Sequence, residues 1–309
     1  MTALLLVPLL LPFAVRPLAA RALDRLAPAL ALWTLTLAAI VLAGSSVSAL
    51  GALVLTGLLK LPVFATFGEL VHPLPTPPDA LVLPAAAAAT GVLTVSAWTL
   101  LHSALRQFRA FRTARRQADR SATAGDLCVV DSPLPDAYAL PGRPHRIVVT
   151  TGMLRSLAPA ERQALFAHER AHNAAGHHRF LLAAELAAHC HPGLRRIREA
   201  VRLAAERAAD EAAATAVGDR RLTARAIARA ALATHASPSA RPDFASAATT
   251  GPVPLRVAAL LSPPAQRPRR ASWIALLLAA CTAVSACAAA TGVIAFHHEV
   301  EIAQGEARR

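Results

Sequence analysis

Cysteine is scarce, with four in 309 residues, at positions 128, 190, 281 and 287. That scarcity excludes the small secreted scaffolds held together by disulfides. Charge is sparse as well, at 17% against 55% hydrophobic residues, yet the formal net charge is +13. A soluble domain does not combine these values comfortably, whereas a membrane protein with basic cytoplasmic faces does. The arginines cluster beside the apolar runs, and no DNA-binding motif is found. Nucleic acid is therefore not expected as a partner, and anionic lipid headgroups are. Alanine and arginine are abundant enough to raise helix propensity everywhere, so a helix assigned on alanine alone carries little weight.

Long apolar runs are the chain's main feature, and four membrane spans are expected. Ala29 to Leu59, Ala80 to Leu101 and Trp273 to Phe296 are each long enough to cross a bilayer. The run from Ala3 to Val15 is short and contains Pro8 and Pro12, so a span there must continue to Ala20 with Arg16 snorkelling. It has no basic residue before it, and Arg16, Arg21 and Arg25 follow it. That charge order opposes a cleavable signal peptide and favours an anchored span with an outside N-terminus. The flanks Arg106 to Arg120 and Arg267 to Arg270 agree: the residues between them are expected in the cytoplasm, and the tail from His297 outside. The resulting division is 1–104 for three spans (about 3–20, 29–59 and 80–104), 105–270 for a cytoplasmic domain, and 271–309 for the fourth span and tail. Charged residues are absent from Ala29 to Leu59 and Ala80 to Leu101, which argues against a transporter.

Within the cytoplasmic segment, His168-Glu169-Arg170-Ala171-His172 is an H-E-x-x-H sequence. Residues four apart on a helix share a face, so the two imidazoles can reach one tetrahedral Zn²⁺. Glu169, one step round, can take the proton of a water activated at the metal. Pro159 and Glu161 mark the helix start, although Ala158 at the N-cap has no side-chain oxygen. A third ligand is offered by Glu206, 34 residues after His172, with Asp210 one turn further on the same face. There Asp210 can orient a ligating imidazole. His177 is the rival third ligand, but the glycine and histidine of the metzincin spacing are missing, and Glu206 is preferred. His189-Cys190-His191 cannot readily share one ion, because adjacent helical residues diverge.

Cys128-Val129-Val130 and Arg146 to Thr150 are β-branched runs separated by turn formers, with a strand or hairpin around Ala137 to Leu140. They predict a small antiparallel sheet whose edge could pair with an extended substrate. Tyr138, the only tyrosine, is a candidate substrate contact in that stretch. Leu194 to Val217 predicts a long helix and Arg220 to Ala236 a basic one. Ser237 to Pro254, rich in Ser, Ala, Thr and Pro, predicts a flexible linker.

Pro135 to Gly142, Arg146 to Leu154, His168 to His172 and Glu206 to Glu211 together resemble the gluzincin membrane peptidases. The BlaR/MecR type is the nearest group, and the HtpX and CAAX-prenyl-protease group is more distant. The likeness covers about Leu127 to Ala216. It implies a mainly α polytopic membrane protein with about four transmembrane helices and an α+β zinc peptidase domain between the third and fourth. It also implies Zn²⁺ on His168, His172 and Glu206, Glu169 as base and Asp210 as the supporting acid. BlaR/MecR receptors carry a penicillin-binding sensor after the fourth span, and only thirteen residues follow Phe296 here. The expected function is a zinc endopeptidase of the cell membrane, cutting a protein or peptide at the cytoplasmic surface in regulation or membrane-protein quality control. The alternative is a catalytically silent membrane receptor or scaffold with a structural zinc.

Overall fold

Proline decides how the first apolar run folds. In the computed structural model, which describes residues 2–67, 78–234, 252–262 and 272–305, that run forms α1 (Thr2–Ala14) and α2 (Arg16–Arg25), bent by 43° at the break. Pro12 has no N–H to give to the carbonyl of Pro8. The Ser46 hydroxyl donates to that oxygen instead, at 2.8 Å, so the proline's cost is met by a neighbouring helix. Next come α3 (Pro28–Leu59), a short α4 (Pro62–Phe67) and α5 (Asp79–Arg120). The last helix is α12 (Ser272–Gln304). Among the described residues three helices, α3, α5 and α12, are long and apolar enough to cross a membrane, or four spans if the bent pair counts as one.

At 42 residues, α5 is about 63 Å long, roughly twice the hydrocarbon thickness of a bilayer. Its basic end therefore continues as a helix and carries the sheet. Arg146 Nη1 donates to the carbonyl of Ala118 at 2.8 Å, and Arg115 Nη1 donates to that of Pro144 at 2.9 Å. The first contact caps the last turn of α5, where carbonyls lack partners within the helix, and the second ties Arg115 to the loop at Arg143 and Pro144.

The sheet comprises β1 (Ala122–Ala124), β2 (Leu127–Val130), β3 (Ala137–Leu140) and β4 (Arg146–Thr150), in the order β1-β2-β4-β3. It is mixed, which corrects the antiparallel sheet expected from the sequence: β2 and β4 run parallel, with Leu127 opposite Ile147, whereas β3–β4 and β1–β2 are antiparallel. The reason lies in the side chains. Cys128-Val129-Val130 and Ile147-Val148-Val149 are unbroken apolar runs, not alternating ones, and such strands suit a centre covered on both faces. One face packs Cys128, Tyr138, Leu140 and Val148 on Ala114 and Ala118 of α5. The other packs Ala137 and Val149 on the helices that follow.

Those helices are α6 (Thr151–Ser156), α7 (Pro159–Ala174), α8 (His177–Cys190), α9 (Arg195–Val217) and α10 (Arg220–Thr234), with a 3-10 turn at Pro192–Leu194 before α9. Gly152 lets α6 start tightly against the loop before β3, since a Cβ there would lie 2.2 Å from the carbonyl oxygen of Pro133. The start of α7 is capped despite Ala158: the Glu161 carboxylate reaches back to accept from the Ala158 N–H at 3.0 Å, and Arg229 holds Glu161 at 2.9 Å. Most of the expected linker lies outside the described residues. Its end does not behave as a linker, because Val253 and Pro254 form the first turn of α11 (Val253–Leu261). Proline is tolerated there, as the first turn needs no N–H donors.

The largest apolar cluster ties the apolar helices to the helices around the site. Leu35 and Leu42 of α3 pack with Leu181 of α8, Ile197 and Val201 of α9 and Leu278 of α12. Alanines along the same seam, including Ala39, Ala184 and Ala204, let the helices approach closely. Lipid tails are as apolar as these side chains, so close packing, not transfer from water, holds α9 against α3. The end of α8 is fixed too: His191 Nε2 lies 3.0 Å from the carbonyl oxygen of Leu9, and its ring meets Phe13 edge-on.

Candidate metal centre

Helix α7 presents Ala164 and Leu165 to the apolar core and, one turn later, His168, Glu169 and His172 to the interior. Helix α9 crosses it and presents Glu206 and Asp210, also one turn apart. The five residues are each at least 98% buried. Isolated buried carboxylates are expensive unless paired, so this concentration of ionisable groups calls for a cation.

His168, His172 and Glu206 each offer a ligand atom, all within 4.8 Å of one another. The two Nε2 atoms are 3.0 Å apart, and Glu206 oxygens lie 3.5 Å from His168 Nε2 and 3.7 Å from His172 Nε2. A tetrahedral ion with bonds of about 2.0–2.1 Å separates its ligands by about 3.3 Å. The three separations bracket that value, and two imidazoles with one carboxylate suit a borderline-soft divalent ion. The residues fit a metal.

Asp210 stands behind the first histidine, with Oδ1 3.0 Å from His168 Nδ1. His177, from the start of α8, stands behind the second, with its Nδ1 2.8 Å from His172 Nδ1. Tyr138 is not brought to the cluster. It shares the α5-facing side of the sheet with Leu140, while Ala137 faces the α6–α7 side.

Sequence reasoning missed Arg256. This α11 side chain is fully buried, donates from Nε and Nη2 to Asp210 at 2.8 and 2.6 Å, and places Nη1 2.9 Å from Glu206 Oε2. Val253, Val257 and Leu260 at helical spacing after Pro252 could have revealed α11. Nothing in that spacing marks its arginine as buried. Burial opposes the Arg256 charge, but Glu206 and Asp210 outweigh it and raise its pKa. Burial likewise opposes ionisation of Asp210, and Arg256 with His168 overcomes it, holding that carboxyl below its usual range.

The imidazoles are polarised in opposite directions. Burial works against a charge on His168, but Asp210 and Glu206 outweigh it and raise the pKa to about 9. Burial, followed by the nearby His168, His177 and Arg256 charges, pushes His172 well below 6.5. Burial also lowers His177, to about 4. In the metal-free protein a proton on His168 thus contributes stability that is fully present below pH 6.5 and is lost as pH rises to about 9, on the order of 3 kcal/mol. His177 works the other way, its contribution being lost as pH falls from 6.5 to about 4. Unfolding of the detergent-solubilised chain with a chelator present should therefore show greatest stability near pH 6.5. A ligating His168 must give up its proton, so apparent metal affinity should rise up to about tenfold per pH unit towards pH 9. Affinity independent of pH between 6.5 and 9 would contradict this account.

A buried site with two histidines four apart on one helix, a glutamate between them and a carboxylate from a crossing helix has the donor set of a metallohydrolase centre. Residues 104–191 match the sequence model of peptidase family M48, whose peptidases are metal-dependent. The matched stretch runs from the basic half of α5 through the sheet, α7 and α8. It holds His168, Glu169 and His172, and it ends before Glu206. The match supports a membrane metallopeptidase of the M48 group. No curated protein and no solved structure matches the chain.

Proposed function

We propose that the chain is an integral-membrane zinc endopeptidase that cuts a protein or peptide substrate at the cytoplasmic face of the cell membrane. The observation that carries this reading is the carboxylate of Glu169, buried beside the three-ligand cluster on the same helix. A structural zinc site closes its coordination with protein side chains and has no use for a base next to an open position. That consideration disfavours the silent-receptor reading.

In the proposed centre His168, His172 and Glu206 hold Zn²⁺, which when bound supplies a Lewis acid for the scissile carbonyl and lowers the pKa of the attacking water. Glu169 accepts the proton of that water on a carboxylate oxygen and returns it to the leaving amine, so that no charged amide fragment departs. Asp210 accepts from His168 Nδ1–H and keeps the other ring nitrogen turned towards the ligand set. Burial keeps bulk water away from these dipoles and so strengthens them.

The arginine flanks support a cytoplasmic site between the third and fourth spans, with the bilayer as partner, both termini outside and no nucleic acid involved. The order of three spans, peptidase segment and last span supports the BlaR/MecR arrangement within the gluzincins. Regulatory cleavage or removal of damaged membrane proteins suits a site so tied to the apolar helices.

The test uses the full chain purified in detergent. About one zinc per chain is expected by elemental analysis, with cleavage of an unfolded protein substrate that stops on chelation and returns with zinc. A preparation that holds no zinc, or whose cleavage survives chelation, rejects the reading.

A further inference from the structure

We infer that His177 is a positioning residue for the metal centre: its imidazole accepts the Nδ1–H hydrogen bond of His172 and thereby fixes which ring nitrogen His172 offers to the metal. The inference rests on the metal-centre reading above and assigns a role to a residue which that reading leaves unused.

His172 has two ring nitrogens. Its Nε2 faces His168 Nε2 and Glu206, where the ligand atoms converge, and its Nδ1 faces His177 Nδ1 at 2.8 Å. His177 approaches the far side of the ring, which excludes it as a replacement third ligand. One proton must lie between two nitrogens at that distance. Because a metal takes the lone pair of His172 Nε2, the remaining proton of the neutral ring sits on Nδ1 and is donated. His177 Nδ1 is then the acceptor and carries its own proton on Nε2.

The backbone is built to deliver that acceptor. Helix α7 ends at Ala174, and Gly176 at φ +64° turns the chain so that α8 begins at His177. A left-handed residue is easy for glycine and strained for most others. The His177 side chain is 97% buried, and its ring meets that of His172 edge-on with centroids 4.8 Å apart.

The two ligating histidines thus have unlike supports, a carboxylate behind His168 and a neutral imidazole behind His172. Charge explains the difference. With Glu169, Glu206 and Asp210 counted as anions and Arg256 as a cation, a divalent metal brings the buried set to zero. A second carboxylate in the place of His177 would leave an uncompensated buried charge, which is costly.

The experiment compares the full-length chain in detergent with two variants. Zinc affinity is read by competition with a chromophoric chelator, and ligand geometry by the visible spectrum of the Co²⁺-substituted protein. His177→Leu removes the acceptor and should weaken zinc binding about 10–100-fold and alter the Co²⁺ spectrum. His177→Asn, whose Oδ1 can take the place of Nδ1, should stay within about threefold of wild type and restore the spectrum. Wild-type affinity and spectrum in His177→Leu would overturn the inference and leave the metal centre standing. A wild-type chain that binds no metal would overturn both. If His177→Leu does not fold, long-range ¹H–¹⁵N correlations of the zinc-loaded wild type decide instead. A proton on His172 Nδ1 with none on His177 Nδ1 is expected, and the reverse overturns the inference.

Discussion

Replacing Glu169 by Gln should lower the rate of peptide cleavage about 10²–10⁴-fold, the usual contribution of a positioned general base, while zinc content stays at the wild-type level. The substitution keeps the shape of the side chain and removes its capacity to accept a proton at neutral pH. Glu169 is not among the residues whose ligand atoms converge on one point, so the ion should remain. In this the variant differs from changes at His168, His172 or Glu206, which should lose activity and metal together. Arg256 lies close enough to feel the Glu169 charge, so neutralising Glu169 also removes one anion from a buried set that has three. Folding is therefore checked separately, by unfolding with and without metal. Steady-state cleavage of an unfolded substrate and elemental analysis on one preparation give the answer. Unchanged cleavage in a zinc-loaded Glu169→Gln chain would remove Glu169 as the base.

The parts of the site that were legible in the sequence are those whose logic is local. His168 and His172 are four apart on a helix, and Glu206 and Asp210 repeat that spacing on another, so one-dimensional periodicity is enough to pair them. Strands β2 and β4 were legible because β-branched runs bounded by proline and glycine mark them directly, whereas β1, an Ala-Thr-Ala stretch, was not expected. What was lost depends on partners distant in the chain. The parallel pairing of β2 and β4 arises because α5 covers one face of the sheet and α6 and α7 cover the other, and neither face announces itself in four residues. The seam between α3 and α9 is largely alanine, a residue so abundant here that it carries no positional signal. The support of His172 was missed because His177 was weighed only as a ligand, not as an acceptor for a ligand. Arg256 was hidden most completely. It lies in nine helical residues after a polar, proline-containing run, and among 32 basic residues nothing sets it apart.

That hidden arginine carries the largest stability effect expected outside the apolar core. Arg256→Met should destabilise the metal-free protein by about 3–5 kcal/mol, the cost typical of breaking a buried ion pair by removing one partner. Methionine fills much of the same volume, so little of the loss comes from a cavity. The loss comes from Asp210, which receives a two-pronged bond from Arg256, and from Glu206, which lies 2.9 Å from it. The size of the effect should depend on metal, because a divalent ion beside Glu206 offsets part of the stranded negative charge. Chelation should therefore lower the stability of Arg256→Met more than that of wild type. A second change separates charge from packing. Replacing Asp210 by Leu in the Arg256→Met background removes the stranded acid as well, and the double variant should be more stable than the sum of the two single losses. Unfolding of the four proteins in detergent, with and without chelator, measures each term. An Arg256→Met chain within about 1 kcal/mol of wild type under chelation would mean that solvent or a rearranged α11 satisfies Asp210 and Glu206. In that case α11 would not be the helix that neutralises the centre.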